Sequence, residues 1–333
     1  MRNRRSPSKR LRRSLGRFLL GAVLASIALE LVFAQTYPTK PIRVIVPFPP
    51  GGSVDTVARL LSPRLSESLG QSMVVENRSG ASGNIGMEQA ARATPDGYTL
   101  LINTNPLVTN GLLYAKLNYD TFTDFVPISL LCQSLSVMAI NPKVPARNLQ
   151  EFLDLARAKP GSLNFATAGP ATNPHVGGEL VNYLGKTSIV AVHFKGGGPA
   201  LLATLAGDTE MVVSGISEVG PHVVAGKLRA LGVTGLKRSS AYPDIPTLDE
   251  AGLPGYEFVT WHAILAPKGT PSAAIETLVD RLRKVMLSPE GTAIFQRNGL
   301  EVIASTPDEL TAHLKRESAK WQRVFKERGM RAD

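Results

Sequence analysis

Residues 42–61 read IRVIVPFPPGGSVDTVARLL, and this stretch decides the fold. Its first five residues, rich in β-branched side chains, read as a buried strand. Pro47, Pro49 and Pro50 break the strand, and Gly51, Gly52 and Ser53 follow. The apolar spacing then turns helical, at Val54, Val57, Leu60, Leu61, Leu65 and Leu69. Ser53 is placed as the N-cap, with Asp55 in the first turn where the helix dipole favours an acid. A strand therefore enters a glycine turn that opens a helix. The unsatisfied N–H groups of such a helix start form an anion site, and glycines let a ligand approach the backbone closely. A plain βα connection would need the same glycines, and the stretch by itself fits either.

The N-terminus bears on the compartment. Residues 2–17 carry eight Arg or Lys and no acid, and 18–29 are an apolar run of twelve, short for a bilayer span. Val32, Phe33 and Ala34 supply small or apolar residues where a signal peptidase reads. This order is that of a secretory signal, with cleavage expected after Ala34 to leave 299 residues in the periplasm. No Cys lies near the cut, which excludes a lipoprotein. Arg12 and Arg13 also fit a twin-arginine signal. The chain carries +10, but residues 1–34 hold eight bases and one acid, which leaves 29 bases and 26 acids, or +3. The basic balance is therefore no nucleic-acid footprint. Cys132 is alone in an apolar stretch and reads as buried and inert.

Strands and helices alternate after the leader. Strands are expected at 73–76, 98–103, 126–131, 137–140, 163–166, 189–193, 211–213, 228–233 and 263–266. Helices are expected at 85–92, 149–159 (capped by Asn148), 175–184, up to 205 after Pro199, 272–287 and 307–328. The segment 236–257 is irregular, with three prolines. This is an α/β chain for which mostly parallel sheets are expected. The device of strand, small-residue loop and helix start recurs at Gly51 to Ser53, at Gly169 to His175 and at Gly196 to Pro199. Glycines also punctuate Gly80, Gly83 and Gly86. Ligands of open α/β sheets bind beyond the C-terminal ends of strands, so such loops suit one anionic ligand in a cleft.

These residues carry a resemblance. The chain resembles the extracytoplasmic solute receptors of tripartite tricarboxylate transporters, the Bug or TctC family. The matching segments are YPTKPIRVIVPFPPGGSVDTVAR (37–59), VVENRSGASGNIG (74–86), PDGYTLL (95–101), HFKGGGPALLATLAGD (193–208), PHVVAGKLRALGVTG (221–235), YPDIPTLDEAGLPGYE (242–257) and APKGTP (266–271). They run from end to end in the family's order.

The resemblance implies a two-lobe periplasmic binding protein of type II-like, flytrap form, with two crossovers. Lobe 1 would be 37–135 plus 258–333, and lobe 2 would be 136–257. It implies capture of a small carboxylic acid, a di- or tricarboxylate or an aromatic carboxylate, for a membrane permease. It also implies a monomer with no cofactor and no metal. Carried over by position, the ligand-binding candidates in lobe 1 are Phe48, Gly51, Gly52, Ser53, Gly83, Asn84, Asn103, Thr104 and Asn105. Those in lobe 2 are Thr167, Gly169, Thr172, His175, Lys195, Gly196, Gly197 and Ser214. Asp55 reads as a first-turn residue, since a carboxylate repels an anion. Thr172 or Asn173 also fits a plain helix cap, and Trp261 reads as a hinge or core aromatic.

Three features depart from the family pattern. Ser214 stands where many members have an acid, with Glu218 nearby; this disfavours an amino-acid ligand, whose ammonium needs an acid. His262 follows Trp261 and fits either a donor to a second carboxylate or a buried structural histidine. Asn173 and Pro174 alter the loop before His175. A signalling receptor read by a sensor protein is equally compatible with the sequence. A secreted enzyme has little support, for the chain has no G-x-S-x-G elbow, H-E-x-x-H pair or Cys/His metal spacing.

Overall fold

The opening strand, β1 (Ile42–Val46), is almost wholly buried and lies between β2 (Met73–Asn77) and β3 (Thr99–Asn103), parallel to both. The computed structural model describes residues 37–331 other than Ser240. The leader at 1–34 and its cleavage after Ala34 lie outside the described residues. The helix that follows β1 is α1 (Ser53–Leu69), and α2 (Asn84–Ala91) and α3 (Pro106–Leu113) follow β2 and β3. Next come β4 (Phe125–Ile140), α4 (Leu149–Ala158), β5 (Asn164–Thr167), α5 (Asn173–Gly185), β6 (Val190–His193) and α6 (Gly197–Ala206). Then β7 (Met211–Gly215), α7 (Ile216–Val224) and β8 (Arg229–Val233) precede the irregular stretch that returns to β9 (Val259–Pro267). The chain closes with α8 (Ser272–Met286), α9 (Pro289–Arg297), β10 (Glu301–Val302) and α10 (Pro307–Arg328).

The strands follow the order β2-β1-β3-β9-β4-β7-β5-β6, with β8 and β10 also on β4. The outer pairs are parallel, as expected: β1 with β2 and β3, and β5 with β6 and β7. The centre is not. β9 runs antiparallel to β3 and β4, and β4 runs antiparallel to β7, β8 and β10. Apolar runs mark a strand as buried but carry no information on its direction, so the mostly parallel expectation is corrected to a mixed sheet. The two runs at 126–131 and 137–140 also prove to be one strand of 16 residues. Its polar middle, Gln133 and Ser134, stays in the ladder with β9. From Ser136 onward β4 pairs with β7, and from Val137 also with β8.

Apolar clusters fill the layers. One holds Ile45, Leu101, Leu130, Trp261, Leu310 and Leu314. A second holds Met138, Phe152, Phe165, Val176, Val213 and Phe258, and a third packs Val137, Val212 and Val219 on the other face. The last helix serves two of them. Leu310 and Leu314 of α10 belong to the first, while Trp321, Val324 and Phe325 belong to the second. Between them Glu317 Oε2 accepts from Trp321 Nε1 at 2.9 Å and Trp261 Nε1 at 3.4 Å, and Oε1 accepts from Lys320 at 3.0 Å. Burial opposes this charge, but the Lys320 ammonium and the Trp321 hydrogen bond outweigh it and hold the carboxyl below its usual range. Trp261 is a core residue, as one of its readings had it, with its ring edge-on to His313.

Helix α5 packs by its glycines. A Cβ at Gly178 would stand 2.2 Å from the Phe165 ring, and one at Gly177 would stand 3.0 Å from Val213. Phe165 is fully buried. Gly178→Ala is expected to destabilise by about 1–3 kcal/mol through overpacking. The measure is the urea midpoint, which should fall with an unchanged slope. An unchanged midpoint would mean that the Phe165 ring yields at no cost.

Candidate functional site

The candidate residues gather where strands end and helices begin. The first loop leaves β1 through Pro47 and the half-buried Phe48, and Gly51 takes φ +84°. The helix cap is Gly52, with no side-chain cap bond, and Ser53 is the exposed first residue of α1. The reading of Ser53 as the N-cap is thus corrected by one position. Asp55 braces the turn ahead of the cap. Its Oδ2 accepts the Gly51 N–H at 2.9 Å and Arg59 Nε at 2.8 Å, and its Oδ1 accepts Asn77 Nδ2 at 2.9 Å. Asn77 Nδ2 also donates to the Phe48 carbonyl at 3.0 Å. The Gly51 N–H is therefore taken, while the first N–H groups of α1 have no partner within their own helix.

Gly83 and Asn84 sit directly against this loop. A Cβ at Gly83 would lie 3.2 Å from the Phe48 ring, and one at Gly86 would lie 2.7 Å from the Arg78 carbonyl and 2.8 Å from Pro47. Only glycine lets α2 approach so closely. Asn84 Oδ1 accepts Tyr119 OH at 2.6 Å and Asn110 Nδ2 at 2.7 Å. Ser82, beside them, donates from its hydroxyl to the Pro170 carbonyl at 3.0 Å. That carbonyl belongs to the loop after β5, so the two glycine loops meet.

Asn103, Thr104 and Asn105 are buried, and their side chains divide the work. Asn105 is committed to β9, donating to the Val259 carbonyl at 3.1 Å and accepting the Trp261 N–H at 3.4 Å. Asn103 Oδ1 accepts the Thr104 N–H, and its Nδ2 is buried without a partner among the described residues. Thr104 Oγ1 accepts from Asn173 Nδ2 at 3.4 Å, and the same amide donates to Thr260 Oγ1 at 3.1 Å. Asn173, flagged in the sequence as a departure and as a possible helix cap, thus ties the start of α5 to both β9 and the loop after β3.

In the loop after β5, Gly169 takes φ +126°, a conformation that favours glycine. Thr172 stands at the cap of α5, but its hydroxyl donates to the Gly169 carbonyl at 2.6 Å and makes no cap bond. His175 is buried and its Nδ1 accepts the Ala171 N–H at 3.1 Å. Burial, helped by the neighbouring His193, pushes the His175 pKa down to about 4. Thr167 Oγ1 lies 2.6 Å from His193 Nδ1. Gly196 caps α6 at φ +114°, and a Cβ at Gly196 or Gly197 would meet nothing within 4 Å. Lys195 is exposed beside them. Ser214 donates to Glu218 Oε2 at 2.9 Å, so serine and acid act as a pair. His262 is not on these loops; it is fully buried, with Nδ1 3.9 Å from Cys132 Sγ.

Two surface cavities, of about 190 and 470 Å³, are lined by other residues. The larger sits near Arg43 and Thr99, at the opposite strand ends from these loops. Two residues that the loops bring in escaped the sequence reading as candidates. Asn173 carried a signal, being a polar residue at a helix start, and His193 closed an expected strand.

Parallel strands that end in glycine loops and helix starts, on two sheet regions joined through β4 and β9, define a two-lobe α/β binding protein. The chain belongs to the tripartite tricarboxylate transporter family receptors, whose family model matches residues 57–330. It is 34% identical over 314 residues to protein BugT of Bordetella pertussis, covering 93% of this chain and 96% of that one. An R. palustris protein solved with adipate superposes with a TM-score of 0.82 at 33% identity, over 89% of this chain and 99% of that one. MatC of Rhodopseudomonas palustris, solved with bound malate, gives 0.79 at 30% identity, over 86% and 99%.

The Asp55 carboxylate pins the first loop, so its loss should be visible in stability. Burial opposes its charge, but the bonds from Arg59, Gly51 N–H and Asn77 and the Arg59 charge prevail and hold its pKa below 3.8. A lowered pKa means stabilisation that is complete above the unfolded value and lost as pH falls through the folded one. Asp55→Asn should therefore be less stable than the parent at neutral pH, and the gap in urea midpoint should close below about pH 4. A gap that stays constant into acid would assign the effect to packing instead of charge.

Proposed function

We propose that this protein is an extracytoplasmic receptor that captures a small carboxylic acid between its lobes and delivers it to a membrane permease. The observation that carries this is the meeting of helix starts at the C-terminal strand ends. The starts of α1, α2, α5 and α6 all open from glycine- or threonine-capped loops. Ser82 to Pro170 and Asn173 to Thr104 and Thr260 join those loops across the proposed lobes 37–135 plus 258–333 and 136–257. Helix N-termini present unpaired N–H groups and positive dipole ends, which suit a carboxylate. The relatives solved with adipate and malate support the same ligand class.

On this reading the N–H groups after Gly52 and those near Gly83, Gly169 and Gly196 hold the carboxylates. Phe48 walls the cleft, and Asn84, Asn103, Thr104, Thr167, Thr172, His175, Lys195 and Ser214 supply polar contacts. The protein binds and releases its ligand unchanged, as a monomer in the periplasm. Lobe closure follows ligand capture, and α10, shared between two apolar clusters, sets its range.

The test is thermal unfolding of the purified protein against mono-, di- and tricarboxylates, malate and adipate included. A ligand at about 1,000 times its dissociation constant stabilises by about 4 kcal/mol. Gly52 has φ −77°, and a Cβ there meets only the Pro49 carbonyl at 3.6 Å, so Gly52→Val should fold. Its side chain would obstruct the first loop, and the ligand shift should disappear. A full shift in Gly52→Val would remove this loop from the site, and no shift with any acid would sink the carboxylate reading.

A further inference from the structure

His175 and His193 stand edge-on at the loop edge of the proposed cleft, their centroids 4.9 Å apart and their planes at 88°. They come from α5 and from the end of β6. Their hydrogen-bond partners differ in kind. His175 Nδ1 accepts a backbone N–H, that of Ala171. A backbone N–H only donates, so this nitrogen keeps its lone pair and the ring proton belongs on Nε2. A second proton on His175 would set two donors face to face.

His193 Nδ1 faces the Thr167 hydroxyl, which can donate or accept. With His193 neutral, that hydroxyl donates to Nδ1. With His193 charged, Nδ1–H donates to Oγ1 and the hydroxyl turns to the Gly169 carbonyl, 3.4 Å away. The Gly169 N–H donates to the same oxygen, at 3.2 Å, in both states. His193 can therefore gain a proton without losing a bond.

The charged surroundings are few. Glu179 of α5, one turn beyond His175, favours a charged His193, while its Oε2 is shared with Arg328 of α10 at 3.1 Å. Lys195 lies two residues beyond His193 and is exposed. Phe165 of β5, stacked on His175, carries no charge. Partial burial lowers the His193 pKa, against the pull of Glu179, so the free protein holds the ring neutral near pH 7.

We infer that His193 is a ligand-binding residue that takes up a proton as a carboxylate enters the cleft, with His175 held neutral beside it. This rests on the carboxylate-receptor reading above. A carboxylate at the loop edge favours the imidazolium and raises its pKa. Between the free and bound values the free protein is neutral there and the complex is charged. Affinity therefore falls as pH rises through that window.

The experiment is calorimetric titration with malate and adipate near pH 7, in two buffers of small and large ionisation heat, on parent and His193→Gln. The parent should show net proton uptake, and its affinity should fall by up to about tenfold per pH unit above neutrality. Gln keeps a bond to Thr167 but cannot charge, so the variant should bind more weakly and show no buffer dependence. The His193 ring signal in NMR should titrate at higher pH with malate present than without. Equal heats in both buffers, or uptake that persists in His193→Gln, would overturn the proposal and leave the receptor reading standing. Absence of binding by any acid of the panel would remove both.

Discussion

The antiparallel pairing of β4 with β9 is the constraint on which the rest depends. Their register runs from Phe125 opposite Pro267 to Leu135 opposite Val259. At its far end β4 changes partners to β7 and β8, while β9 is entered from the irregular stretch that leaves β8. The two sheet regions are thus joined by backbone that is itself in a ladder. Helix α10 lies over this junction, with Trp321 against Phe258 and His313 against Trp261. The largely buried Glu317 carboxylate would lose both tryptophan N–H groups and Lys320 if the helix moved, so it fixes where the helix crosses.

Around this frame the loops are held by groups that are not free to bind a ligand. Asp55 takes the Gly51 N–H, and Asn105 takes β9. Rigid loops of this kind present the remaining N–H groups already oriented, which lowers the ordering cost of binding. The contacts that cross between loops are few and polar: Ser82 to Pro170, and Asn173 to Thr104 and Thr260. Hydrogen bonds of this kind are each worth about 1 kcal/mol net, so they can be exchanged for ligand contacts and re-formed.

The elements misread from sequence have separate physical causes. Helix α3 has six of its eight residues buried, so it shows no amphipathic period. Helix α7 contains Gly220 and Pro221, both of which read as breakers. Helix α9 did announce itself, for Ser288 caps it through the Gly291 N–H and Pro289 opens it, but it follows α8 so closely that the two blur. Ser53 looked like a cap because residue preference is a statistical matter, whereas here Gly52 holds the cap position and the Asp55 carboxylate is spent on the Gly51 N–H ahead of it.

By itself the sequence determined the alternation of strands and helices and the glycine loops at their junctions, because periodicity and positive-φ turns are local properties of the chain. It also carried the family, through motifs spread from 37 to 271. Strand direction in the centre of the sheet, the role of α10 and the state of each polar side chain were decided only by tertiary structure. Asn105 and Asn103 are adjacent and alike in sequence, yet one is spent on β9 and the other keeps a buried amide nitrogen unpartnered. His175 and His193 lie 18 positions apart, and only the packing of α5 on β5, beside which β6 runs, sets their rings together. Such pairings depend on long-range geometry, which no residue spacing records.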